Sequence, residues 1–163
     1  MSDTYVECLI KAKDPVVLKF LKYVLYGLTV LCVIGMFLNP ILFFAALILG
    51  GAAYFVGMFC DSEYEYLYLD REITVDKVMA KTKRKRVATF NVDRMEILAP
   101  INSYHLDSFK NRDVKNVDYS AGQTQPESRY VMYYEGGQKV LLTPNEEMIK
   151  AIKNVAPRKV FMD

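Results

Sequence analysis

The sequence predicts a membrane-spanning α-helical hairpin joined to a small α+β, mainly β roll of seven antiparallel strands closed by one helix. Three observations carry this reading. From Tyr23 to Cys60 run 38 residues without a single Asp, Glu, Lys, Arg or His, and thirty of them are apolar. Asn39-Pro40 interrupts that run near its middle. From Asp61 onward, short stretches of β-forming residues alternate with turn residues, until a helical period returns after Thr143. With 163 residues, 52% of them hydrophobic, the chain has room for one soluble domain beside the hairpin. The apolar run argues against a simple cytosolic enzyme.

The first apolar segment is expected to be helical over 16–38. Asp14 is positioned to cap it, and Pro15 suits the first helical position. Its length as a helix is about 35 Å. Proline cannot continue a helix and pushes its predecessor out of the helical region, so Asn39-Pro40 forms the link. The second segment, 41–60, spans about 30 Å, enough for the hydrocarbon core. With so short a link the two helices must pack antiparallel. Ala46, Gly50, Ala53 and Gly57 recur at spacings of 4, 3 and 4 and share one face of the second helix. The first helix offers Gly27 and Gly35. Such small residues let helix backbones approach closely, which here closes the hairpin on itself or joins it to another subunit.

Residues 1–15 form a short arm in which apolar and basic residues mix, read as an interfacial helix. Lys11, Lys13, Lys19 and Lys22 precede the apolar run, and Arg71, Lys77, Lys81, Lys83, Arg84, Lys85 and Arg86 follow it, whereas the link carries no basic residue. Orientation follows the Lys and Arg content near the membrane ends, so both termini are expected in the cytoplasm of a multi-pass plasma-membrane protein. Cys8, Cys32 and Cys60 match no metal, haem or redox spacing and read as small packing residues.

Residues 61–163 read as the β domain. Strands are expected over 63–69, 73–80, 87–91, 95–99, 114–119, 129–135 and 138–142, with a long polar connection over 101–113. Gly136-Gly137 is read as a two-residue hairpin turn. Thr143-Pro144-Asn145-Glu146 reads as a capping box with proline at the first helical position. Met148, Ile149, Ile152 and Val155 would form the apolar face of the closing helix.

This order of seven strands and a C-terminal helix resembles the pleckstrin-homology superfold. More closely, the chain is similar to an uncharacterised family of small bacterial two-span membrane proteins with a C-terminal PH-like domain. The matching stretches are Glu63–Tyr68 (EYEYLY), Ile73–Lys77 (ITVDK), Lys83–Val87 (KRKRV), Met95–Pro100 (MEILAP), Ser108–Asp113 (SFKNRD) and Ala156–Phe161 (APRKVF). The resemblance implies an architecture and brings no activity, because the superfold hosts lipid binders, peptide binders and oligomerisation modules alike.

One feature points to a binding chemistry: Lys81, Lys83, Arg84, Lys85 and Arg86 within six residues. The first strand begins at the membrane end of the second helix and runs about 23 Å away; the next strand returns the same distance. The basic turn therefore comes back to the bilayer surface. There each Lys or Arg gains about 1 kcal/mol from anionic headgroups. Lys19 and Lys22, at the start of the first helix, belong to the same headgroup band. The competing reading is a solvated turn that only enforces topology. Nucleic acid is not expected as a partner, since residues 61–163 hold 17 basic and 16 acidic residues.

Nothing in the sequence points to catalysis, a metal or a cofactor. The single histidine, His105, stands near Asp107 and Ser108, but sequence neighbours do not make a triad. No phosphate-binding loop, nucleophile elbow or zinc motif occurs. The expected function is a membrane-anchored, non-enzymatic interaction module that contacts anionic lipid, a protein partner or a second copy of itself. The alternatives are a subunit of a membrane complex or transporter assembled through the small-residue face, and a membrane-bound enzyme with an unrecognised site.

Overall fold

A computed structural model describes residues 5–13, 15–122 and 128–162. The chain divides into two compact units: a helical hairpin that includes the short segment Met79–Thr82, and a β-rich unit.

In the helical unit, α1 covers Val16–Gly35 and α2 covers Ile41–Cys60. Both are long and apolar enough to cross a membrane. α2 has the expected bounds, but α1 stops three residues early. Leu38 and Asn39 turn back to the carbonyl of Gly35, because the residue before proline is driven out of the helical region. The Asn39 side chain then accepts from the N–H of Ile41 at 3.1 Å and starts α2. Pro15 stands at the N-cap of α1, one position before its expected place. The expected cap, Asp14, lies outside the described residues.

The small residues of α2 face α1. Ala46 and Ala53 are buried. A side chain at Gly50 would meet the Thr29 methyl group at 3.6 Å, and one at Gly57 would meet Cε of Lys22 at 3.4 Å. Gly35 adjoins Leu42 where the chain turns back, whereas Gly27 faces open space. Only one of the two α1 glycines therefore serves close packing. The outer surface of the hairpin carries exposed Phe20, Leu31, Ile34, Phe44, Ile48 and Phe55, a surface suited to lipid rather than water.

Val6–Lys11 forms a strand, β1, not an interfacial helix, and so belongs to the β unit rather than to a separate arm. Val6 and Cys8 point into the core while Glu7 and Leu9 point out, the period of two that a strand requires. β1 pairs antiparallel with β2, Ser62–Leu69, from Val6 opposite Tyr68 to Lys11 opposite Glu63. β3, Glu72–Met79, and β4, Lys83–Asn91, complete a sheet of order β1-β2-β3-β4.

The second sheet contains β5 (Met95–Pro100), β6 (Lys115–Asp118), β7 (Tyr130–Tyr134) and β8 (Gln138–Leu142), in the order β5-β7-β8-β6. The described residues thus hold eight strands where seven were expected. β6 runs parallel to β8, so the strands are not wholly antiparallel. In that order β8 lies between β7 and β6. The β7–β8 turn falls one residue early, with positive φ at Glu135 and Gly136.

α3 covers Glu146–Val155 and is capped by Asn145, whose side chain accepts from the N–H of Met148 at 2.9 Å. The expected capping box at Thr143 is therefore replaced by a single cap two residues later. Thr143 is buried instead, its hydroxyl accepting from the N–H of Ala121. Met148, Ile149, Ala151 and Ile152 are buried, while Val155 is exposed. This face joins Tyr66, Tyr68, Ile73, Val75, Phe90, Leu98, Met132 and Val140 in one core. A second, smaller core lies around Ile97, Ala99, Val131 and Tyr133. Leu106 and Phe109 cover it from the connection that the sequence presents as polar. β7 is consequently buried along its whole length.

Candidate functional site, a basic edge strand

The basic residues sit differently from the expected loose turn. Lys83–Arg86 opens β4, an edge strand of its sheet, and only Ala80 and Lys81 make the turn, with φ of 50° and 56°. Two successive left-handed residues match the right-handed twist of a hairpin. The Ala80 N–H donates to the carbonyl of Asp61, which ends α2, at 3.0 Å. The hairpin tip is thus tied to the end of the second apolar helix. Lys19, Lys22 and Lys81 belong to the helical unit, and Lys83, Arg84, Lys85 and Arg86 to the β unit.

The five basic residues near the tip divide by chemistry. Arg84 reaches past β3 to Glu65 on β2, Nη2 to Oε1 at 3.2 Å. Arg86 meets Asp76 on β3 at 3.5 Å. Lys81, Lys83 and Lys85 are exposed, and none has an ion-pair partner among the described residues. The two guanidinium charges are largely answered within the β unit, leaving three ammonium groups free for an external anion. A Lys-rich edge strand also discourages strand-to-strand aggregation, which is a purely structural reason for its composition. Lys22 lays its stem over Gly57, and the Lys19 N–H bonds to the Pro15 carbonyl.

Glu65 is the unusual acid of this surface. It is 2% exposed, and its Oε2 has no hydrogen-bond partner among the described residues. Burial, followed by a hydrogen bond with Glu7, raises its pKa, against the lowering effect of Arg84. Glu7 shifts the opposite way, because Glu65 and then Tyr5 hydrogen-bond to its carboxylate. The Tyr5 hydroxyl donates to Glu7 Oε2 at 3.0 Å. The pairing register places Leu9 opposite Glu65 and Glu7 opposite Leu67, so the two carboxyls are diagonal neighbours on the outward face. Nothing in the sequence marks Glu65 out, because its burial depends on strands paired far along the chain.

Other residues of interest are engaged elsewhere. His105 stacks on Phe161 at 3.7 Å between ring centroids and on Tyr104 at 3.9 Å. A shallow cleft of about 320 Å³ is lined by Val92, Asp93, Val155, Ala156, Pro157, Arg158 and Lys159. Two of its charged groups are in use within the fold: Lys159 donates to the Asp93 carbonyl, and the Asp93 carboxylate pairs with Arg71.

Comparison with family models decides the affiliation, for residues 2–162 match that of a bacterial PH-like domain family, DUF6106. The chain belongs to that family. Its match covers the two apolar helices as well as the β unit, so the PH-like family that the residue motifs resembled is confirmed, and the two apolar helices and two-sheet β unit are consistent with it. DUF6106 is a family of unknown function and brings no activity. No curated protein and no solved structure matches the chain.

Proposed function

We propose that this DUF6106 protein is a membrane-anchored, non-enzymatic interaction module. The hairpin crosses the plasma membrane twice, and both termini and the PH-like unit lie on the cytoplasmic side. There Lys81, Lys83 and Lys85 contact anionic lipid headgroups. The observation that carries this reading is the Ala80–Asp61 hydrogen bond, which ties the turn that contains Lys81 to the residue that caps α2. Lys81 lies in that turn and Lys83 and Lys85 follow within four residues, and each ammonium group adds about 1 kcal/mol in the field of an anionic leaflet. Assembly of a membrane complex through Ala46, Gly50, Ala53 and Gly57 draws less support, because that face is used by α1.

The chain contains no tryptophan, so Thr82→Trp in the full-length protein introduces a single reporter at the tip. It would be reconstituted into phosphatidylcholine vesicles doped with brominated phosphatidylglycerol, or with brominated phosphatidylcholine as the zwitterionic control. Stronger quenching by the anionic lipid, reduced by added salt, is the expected result. Replacing Lys81, Lys83 and Lys85 by Gln in this background should lower the apparent affinity for anionic lipid about a hundredfold. Equal quenching by the two lipids would overturn the reading.

A further inference from the structure

We propose that Glu65 sets the charge of this basic surface, so that contact with anionic headgroups tightens when Glu65 takes up a proton. This rests on the lipid reading above and adds its regulation. The geometry supplies the parts. The Glu65 carboxyl is almost fully covered, and one oxygen meets Arg84 at 3.2 Å. The other oxygen has no donor among the described residues. Glu7 approaches from β1, with the Tyr5 hydroxyl behind it. Asp76 comes from β3, itself paired to Arg86 of β4.

With both carboxyls ionised, Glu7 and Glu65 have no hydrogen to share, and Arg84 is held by a full negative charge. One proton placed between them gives the pair its hydrogen bond. It settles on Glu65, where burial penalises the charge, while exposed Glu7 stays ionised. Glu65 is then neutral, its hold on Arg84 weakens, and the surface gains one positive charge. Arg84 is 67% exposed at its side chain, so the released guanidinium can turn to a phosphate without unfolding the strand.

The Thr82→Trp reporter, read in the full-length protein from pH 8 to pH 5, tests this. Phosphatidylglycerol is a suitable probe because its phosphodiester stays ionised throughout. The apparent affinity for brominated phosphatidylglycerol is expected to rise about fivefold on acidification, one charge's worth. Glu65→Gln should show the acid-like affinity at every pH. Arg84→Gln should flatten the response while leaving the lysine-dependent attraction. A pH response that survives unchanged in Glu65→Gln, or a flat response in the parent with its anionic preference intact, would overturn the proposal and leave the lipid reading standing. Loss of anionic preference at every pH would overturn both. Circular dichroism of each variant separates these outcomes from misfolding.

Discussion

The backbone N–H of Ala80 donates to the carbonyl oxygen of Asp61 across 3.0 Å. A turn between two strands thereby completes the exit of a membrane-length helix. The carbonyl that α2 leaves free at its C-terminal end receives a donor, as buried or partly buried helix ends require. The donor is available only because Ala80 and Lys81 adopt left-handed backbone angles.

Those angles make the first prediction. A non-glycine residue at positive φ costs roughly 1 kcal/mol, which glycine avoids at some cost in unfolded-chain entropy. Lys81→Gly should therefore stabilise the tip by about 0.5 kcal/mol while removing one of the free charges. Ala80→Pro loses both the N–H and the permitted φ and should cost about 2 kcal/mol or more. Denaturant titration in detergent, followed by near-ultraviolet circular dichroism, measures both. A destabilised Lys81→Gly would contradict the turn geometry.

Ala53 has no exposed surface in the hairpin. Ala53→Leu should overpack the contact with α1 and cost about 1–3 kcal/mol. Gly27→Leu places its side chain in open space and should be tolerated. Thermal unfolding of the detergent-solubilised protein, followed by circular dichroism, distinguishes the two, and equal sensitivity would mean that α1 presents a different face.

The Tyr66 hydroxyl donates to the Tyr119 carbonyl and accepts from the Thr143 N–H. Tyr66→Phe leaves both groups unpaired and should cost about 1–3 kcal/mol. Burial raises the pKa of this phenol well above its ordinary value. The folded state holds that proton more tightly than the unfolded state does. Its contribution is therefore present below about pH 10 and is lost as pH rises further. The alkaline limb of a stability–pH curve should flatten in Tyr66→Phe.

Glu65 gives the opposite end of that curve. Its folded pKa is raised, so the folded chain binds the proton more tightly than the unfolded chain. Stability should fall as pH rises from about 4.3, the ordinary glutamate value, through the folded value. Glu7, with a lowered pKa, contributes a slope of the other sign, lost as pH falls. The difference in melting temperature between Glu65→Gln and the parent should therefore grow from pH 4 toward pH 8. A constant difference would mean that Glu65 titrates normally.

Asn145 caps α3, and Asn145→Ala should cost about 1 kcal/mol. Substitution of Pro144 should leave the helix intact, because it lies outside the helix. A larger loss at Pro144 than at Asn145 in thermal melts would restore the cap suggested by the sequence.

Local chemistry was legible in the sequence and distant pairing was not. α2 begins and ends as expected because Pro40 and the polar run after Cys60 bound it. The β2–β3 hairpin follows from alternation and the Asp70-Arg71 turn. β1 is hidden because six residues of mixed character gain strand geometry only by pairing with Tyr64, Tyr66 and Tyr68, more than fifty positions away. β6 is parallel to β8 for the same reason, since no local pattern announces which edge a short strand will join. Lys83–Arg86 favours a turn by composition, and the continuing hairpin makes it a strand. The candidate site was half legible: its five cations stand together in the sequence, but the carboxylates that answer Arg84 and Arg86 are brought by other strands.

The Leu98 N–H donates to the Lys159 carbonyl, and its own carbonyl accepts from the Phe161 N–H, with Val160 buried between. Synthesis must therefore pass residue 161 before the edge of β5 is sealed, whereas the hairpin is complete at residue 60. During translation both apolar helices are therefore made well before the β unit can finish folding. The two sheets close last, on a chain whose most water-averse segment has long since emerged.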